Sequence, residues 1–105
     1  MAQFTVYRNR NPRSKADVPY LLDVQSDLLS QLGTRVVIPL FEKQSLGIKP
    51  LTKLTPEFAV DGKKCILMTP QLAGIPIKEL GEPVGDLARH RSDIIAALDL
   101  LITGF

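Results

Sequence analysis

The 105-residue chain is long enough to bury one hydrophobic core and too short for two, so a one-domain protein spanning residues 1–105 is expected. Its 45% hydrophobic and 23% charged residues suit a soluble globular protein, and no apolar run reaches the roughly 18–20 residues of a membrane-spanning helix. A net charge of +2 argues against a general nucleic-acid binder, and a lone cysteine, Cys65, excludes an internal disulfide.

The opening residues Met-Ala-Gln-Phe-Thr-Val-Tyr carry neither the basic nor the apolar region of a signal peptide, and a cytoplasmic protein is expected. Phe4-Thr5-Val6-Tyr7-Arg8 alternates apolar and polar side chains, which predicts a half-buried strand with Phe4 and Val6 inward. Residues 9–19 form a polar, proline-containing loop. There Arg8, Arg10, Arg13 and Lys15 crowd together without an intervening acid, giving either a solvated loop or an electrostatic landing site for an acidic partner.

A second strand over residues 20–25 sets Tyr20, Leu22 and Val24 on one face. The connection over residues 26–33 opens with Ser26-Asp27, which suits a short turn of helix. Residues 34–41 are β-branched and continuous enough for a central strand. Within it Pro39, which cannot donate to a ladder, marks a bulge or an edge. Residues 42–56 are irregular, with Gly47, Pro50 and Pro56. Residues 58–68 predict a tight hairpin, because Asp61-Gly62 between apolar segments satisfies a turn whose two positions need positive φ. A connection over 69–75, a short strand near 76–80 and a break at Gly81, Pro83 and Gly85 follow. Many short strands before one helix indicate an α+β protein with a strongly bent antiparallel sheet or small barrel.

Ser92 is predicted to cap the final helix, with Asp93 against the positive end of its dipole. Ile94-Ile95-Ala96-Ala97-Leu98-Asp99-Leu100-Leu101-Ile102 then runs into Thr103-Gly104-Phe105. Ser92, Ala96, Asp99 and Thr103 share one narrow stripe, so the helix is expected to be buried nearly all round. One sheet face cannot cover so wide an apolar arc, and a homodimer interface is the expected home of the surplus. The segment 103–105 is either docked for stability or presented to a partner.

Catalytic chemistry is thin. His90, between Arg89 and Arg91, reads as a surface residue at the helix start, and Cys65 as a buried structural thiol. Asp23 and Asp27 form a conceivable acid–base pair, though capping and turn roles suit them better. No His/Cys pair has metal spacing and no Gly-rich phosphate loop is present, so neither metal, cofactor nor enzyme activity is expected. Leu28 and Leu29 sit in an otherwise polar connection and point different ways. Either one is buried and one incidental, or both belong to an exposed apolar patch.

Gln3-Phe4-Thr5-Val6-Tyr7, Asp23-Val24-Gln25-Ser26-Asp27-Leu28-Leu29 and Arg35-Val36-Val37-Ile38-Pro39-Leu40 resemble the CcdB family of toxins. So do Ile66-Leu67-Met68-Thr69, Ile75-Pro76-Ile77, Asp86-Leu87 and Gly104-Phe105. The resemblance implies an SH3-like antiparallel β-barrel with a small second sheet and a C-terminal helix, assembled as a homodimer. It implies a type II toxin–antitoxin (plasmid-maintenance) toxin that binds the DNA gyrase A subunit and traps the gyrase–cleaved DNA complex. A CcdA-type antitoxin would neutralise it, and operator DNA would be bound only through that antitoxin.

By the same resemblance, Gln3, Phe4, Tyr7, Ser26, Leu28, Leu29, Asp99, Thr103, Gly104 and Phe105 would face gyrase. Arg8, Arg10, Arg13 and Lys15, with Phe41, Lys43 and the stretch to Pro50, would take the acidic antitoxin tail. Two positions depart from the best-known members, which end Trp-Gly-Ile: Thr103 replaces the Trp, and Asp99 stands where an Asn is found. Losing an aromatic stacking contact of roughly 0.5–2 kcal/mol implies gyrase binding weaker by about tenfold, with Phe105 a partial substitute. The rivals are a MazF-like endoribonuclease toxin, for which Arg35 with Asp23 or Asp27 would supply the chemistry, and a decayed toxin that keeps only antitoxin binding.

Overall fold

The computed structural model describes residues 2–47 and 51–104. In chain order the elements are β1 (Thr5–Asn9), β2 (Tyr20–Asp23), a 3-10 turn (Asp27–Leu29), β3 (Thr34–Glu42), α1 (Lys43–Leu46), β4 (Glu57–Val60) and β5 (Lys63–Leu67). A 3-10 turn (Thr69–Gln71), β6 (Ala73–Pro76), a 3-10 turn (Ile77–Glu79), β7 (Leu80–Asp86), a last 3-10 turn (Ala88–His90) and α2 (Arg91–Thr103) complete the order. The strands form one antiparallel sheet in the order β4-β5-β3-β2-β1-β7, with β6 joined to β3. The sheet curls into a half-barrel against the C-terminal helix, the α+β architecture expected, but β6 joins this same sheet through β3, so the small second sheet is not a separate one.

Pairing sets Val6 opposite Leu22, Leu22 opposite Ile38, and Tyr20 opposite Leu40. Strand side chains alternate between faces, so these residues gather with Phe4, Phe58, Leu67 and Ile94 in one core, beneath α2. Tyr7, Leu21, Val37 and Leu80 meet on the opposite face. Both faces are covered, and every residue of β2 is buried. The predicted hairpin is present: Asp61 (φ 51) and Gly62 (φ 76) form the turn between β4 and β5.

Tertiary context changed several local expectations. Pro39 marks neither a bulge nor an edge. Its carbonyl accepts from the Met68 N–H at 2.9 Å, and its nitrogen points the same way, away from β2. It falls where β3 changes partner from β6, along residues 34–37, to β5, along residues 40–42, so its missing N–H costs no ladder bond. The strand expected near residues 76–80 is a 3-10 turn, and the break expected at Gly81, Pro83 and Gly85 is β7 itself. That edge strand pairs with β1 across two register irregularities. Gly81 permits the approach, since a Cβ there would lie 2.9 Å from the Arg8 carbonyl oxygen and 3.0 Å from Arg10 Cγ.

The final helix also differs. His90 occupies the capping position without a side-chain bond, and Ser92 lies inside the first turn with Asp93. The His90 ring instead packs on Phe58, with centroids 4.9 Å apart. Only one side of α2 meets the sheet: Ile94 and Ala97 are fully buried, Ile95 and Leu98 pack beside them, and Leu101 and Ile102 are 36% and 72% exposed. Burial nearly all round is therefore not achieved within one chain, because a single sheet face covers a single helix face. Burial pushes the Cys65 thiol up to about 11, as a structural cysteine requires.

Candidate partner-binding surface

The 3-10 turn after β2 carries the most exposed large apolar side chain among the described residues, Leu28 at 94%; Leu29 beside it is 51% exposed, and Leu32, just past the turn, is 50% exposed. Both members of the leucine pair thus lie outside the core. The turn itself is firmly held. Leu28 N–H donates to Ser26 Oγ at 3.2 Å, and the buried Gln25 side chain donates to the Leu29 carbonyl at 2.9 Å while accepting from Val36 N–H at 3.0 Å. Gln3 N–H donates to Asp27 Oδ1 at 2.8 Å, and Gln3 Nε2 donates to the Val24 carbonyl at 3.1 Å. These bonds bring Gln3, Ser26, Leu28 and Leu29 together on one surface.

Phe4 and Tyr7 are buried rather than presented there, 3% and 6% exposed, Phe4 in the main core and Tyr7 on the opposite face of the sheet. Phe4 is held at φ 69, a conformation unusual for an aromatic residue, by bonds from its N–H to the Asp23 carbonyl and from Leu87 N–H to its own carbonyl. Asp99, Thr103 and Gly104 form a separate exposed group on the last turns of α2. Thr103 Oγ1 donates to the Asp99 carbonyl at 2.7 Å, and Gly104, at φ 82, closes the helix by donating to the Leu100 carbonyl. No hydrogen bond or ion pair among the described residues links this group to the leucine turn. Phe105, expected at the same surface, lies outside the described residues.

The basic loop is a second surface. Buried Asn9 donates to Ser14 Oγ and to the Val18 carbonyl, and Asn11 donates to Glu79 Oε1, which together fix the loop's course. Clefts of about 530 and 510 Å³ flank it, the first lined by Arg8, Arg10 and Lys15, the second by Arg10, Arg13 and Lys78. Arg8 is engaged: its Nε lies 2.7 Å from Glu82 and its Nη2 3.7 Å from Asp61, and the Glu82 hydrogen bond raises its pKa. Arg10, Arg13 and Lys15 have no ion pair among the described residues. Phe41 is half-buried on β3. Nearby, Lys43 pairs with Glu57 at 2.9 Å and lowers the pKa of that carboxyl, and Lys63 pairs with Glu42 at 3.2 Å and is itself raised. Residues 48–50, part of the expected antitoxin region, lie outside the described residues.

No cluster of metal-ligating side chains occurs among the described residues, and no helix there is long and apolar enough to cross a membrane. A family model described as CcdB protein matches residues 3–104, nearly the whole chain. The chain belongs to the CcdB family. CcdB-family proteins are gyrase-targeting toxins of toxin–antitoxin systems, which poison the enzyme rather than catalyse a reaction of their own.

Three features of this CcdB-family chain escaped the sequence reading. Leu32 enlarges the apolar patch; its only signal was a leucine beside Gly33 in a polar segment. Asn9 and Asn11 shape the basic loop, and Asn-x-Asn-Pro at a strand end is a turn signal that could have found them. The third is a buried ion pair beneath the leucine turn: Arg35 Nη2 lies 2.6 Å from Asp23 Oδ2, with both side chains fully buried.

Proposed function

We propose that this protein is the toxin of a type II toxin–antitoxin module: it binds the DNA gyrase A subunit, traps the gyrase–cleaved DNA complex and acts as a homodimer. The observation that carries the reading is the exposed leucine turn. A leucine 94% exposed on a turn fixed by side-chain hydrogen bonds is an anchor suited to an apolar pocket of a partner. Gln3 and Ser26 rim that anchor, the buried Phe4 and Tyr7 belong to the N-terminal segment that carries Gln3, and Asp99, Thr103, Gly104 and Phe105 add the helix end. The exposed Leu101 and Ile102 favour a second copy packed along α2.

Arg10, Arg13 and Lys15, with Arg8, Phe41 and Lys43, offer a basic surface for the acidic tail of a CcdA-type antitoxin, with which the toxin represses its operon. The ribonuclease alternative needs an arginine that a phosphate can reach, whereas Arg35 is fully buried and engaged by Asp23. One observation favours a decayed toxin instead: no aromatic side chain occurs between residues 99 and 104.

Purified gyrase incubated with supercoiled plasmid, ATP and this protein should accumulate linear DNA. Absence of cleaved DNA with RNA breakdown in expressing cells would favour the ribonuclease. Absence of both, with antitoxin affinity retained, would favour the decayed toxin.

A further inference from the structure

We propose that Arg35 is a positioning residue that holds the leucine turn in the geometry its partner recognises; the proposal rests on the gyrase-binding reading above. Arg35 stands on β3, and its guanidinium runs beneath residues 23–27. Nε and Nη2 both bond Asp23 Oδ2, at 2.9 and 2.6 Å, and Nη2 also donates to the Gln25 carbonyl at 3.3 Å. The same Nη2 lies 3.9 Å from Asp27 Oδ1, the oxygen that receives Gln3 N–H. One buried cation therefore addresses the residue before the turn, its backbone at Gln25 and the acid inside it.

Stability alone does not account for the arrangement. A buried ion pair loses about as much by desolvation as it gains by attraction, and an apolar pair of the same shape often does as well. Here the cost is greater, because Arg35 Nη1 is buried with no hydrogen-bond partner among the described residues. What the guanidinium supplies, and an apolar side chain cannot, is direction. Its planar fork fixes a carboxylate and a backbone carbonyl at once, and through them the path of the chain into Leu28 and Leu29. Those leucines have no core contact to hold them, so their presentation depends on the backbone below. A preformed turn loses less freedom on binding than a mobile one, and affinity rises accordingly.

The test compares the full-length wild type with Arg35→Lys, whose single ammonium keeps the charge beside Asp23 but cannot also span to the Gln25 carbonyl. Gln25→Met serves as a second variant that cuts the turn from β3 and leaves the ion pair in place. Amide exchange is followed at Leu29 and Ser30 and, as a fold control, in β4 and β5; gyrase binding kinetics are measured in parallel. The expected result is faster exchange at the turn with β4 and β5 unchanged, and a Kd for gyrase about tenfold higher through slower association. Gyrase binding within twofold of wild type in folded variants would overturn the proposal. So would exchange that rises equally in the turn and in β4 and β5, which would mark the pair as general structure. A wild type that does not bind gyrase would instead overturn the functional reading, and the positioning role with it.

Discussion

Gln3 N–H donates to Asp27 Oδ1 at 2.8 Å, joining the residue ahead of the first strand to the turn that carries Leu28 and Leu29, 24 positions away in sequence. The bond is exposed, so its net contribution to stability is small, yet it sets how two parts of one surface meet. On the proposed function, Asp27→Ala should weaken gyrase-dependent DNA cleavage several-fold while lowering stability by about 1 kcal/mol or less. Asp27→Asn keeps the acceptor and should behave close to wild type. Plasmid linearisation and urea unfolding measured side by side check both statements.

Leu28 touches solvent over almost its whole surface, so Leu28→Ser should change folding stability by no more than about 0.5 kcal/mol. Gyrase affinity should nevertheless fall at least about tenfold, the loss expected when a central apolar anchor is truncated. A Leu28→Ser protein that still linearises plasmid at wild-type concentrations would remove this turn from the site.

Cys65 gives a pH dependence of definite sign. Its folded-state pKa is raised by burial from 9.0 to about 11, so the folded protein retains a proton that the unfolded chain gives up. The associated stability is complete below about pH 9 and is lost as pH rises toward 11, an effect of roughly 2–3 kcal/mol for two pKa units. Urea unfolding across this window should show a steeper loss for wild type than for Cys65→Ala, whatever the variant's baseline. Equal slopes would show that the thiol does not titrate as its burial requires.

Gly81 and Gly85 share β7 and make a matched pair. A Cβ at Gly81 would press on the Arg8 backbone, whereas one at Gly85 meets nothing within 4 Å. Gly81→Ala should therefore destabilise by about 1–3 kcal/mol through displacement of the β1–β7 edge, and Gly85→Ala should be near neutral. Thermal unfolding of the two variants decides it.

The basic loop should bind an acidic antitoxin tail in a salt-dependent way, because its charges are exposed and screened within about 10 Å at 0.1 M salt. Removing Arg13 and Lys15 together should cost more affinity than removing Arg8, whose charge is already shared with Glu82 and Asp61. Glu82→Gln, by freeing Arg8, should tighten binding. Titration of an acidic peptide at low and high salt distinguishes these outcomes.

Local sequence revealed those elements whose cause is local. Asp61-Gly62 announced its hairpin because two positive φ values select those residues, and Ser26-Asp27 announced a short turn because the Ser26 hydroxyl caps it. The alternation of Tyr20 and Leu22 predicted one core face correctly. β7 was illegible because glycine and proline signal a break unless a neighbouring strand needs a close approach, and that neighbour, β1, lies far off in sequence. Pro39 misled for the same reason: its place at a change of strand partner depends on where β5 ends and β6 begins.

The amino-acid order by itself determined the fold class, the hairpin, the lone buried thiol and the unusual leucine pair, because each follows from spacing or side-chain chemistry within a few residues. Only the tertiary structure decided that both leucines face solvent, that Tyr7 does not, and that Arg35 is enclosed with Asp23 beneath the turn. Burial and hydrogen-bond geometry arise from strands brought together across the sheet, and no local pattern encodes which side chains that closure leaves outside.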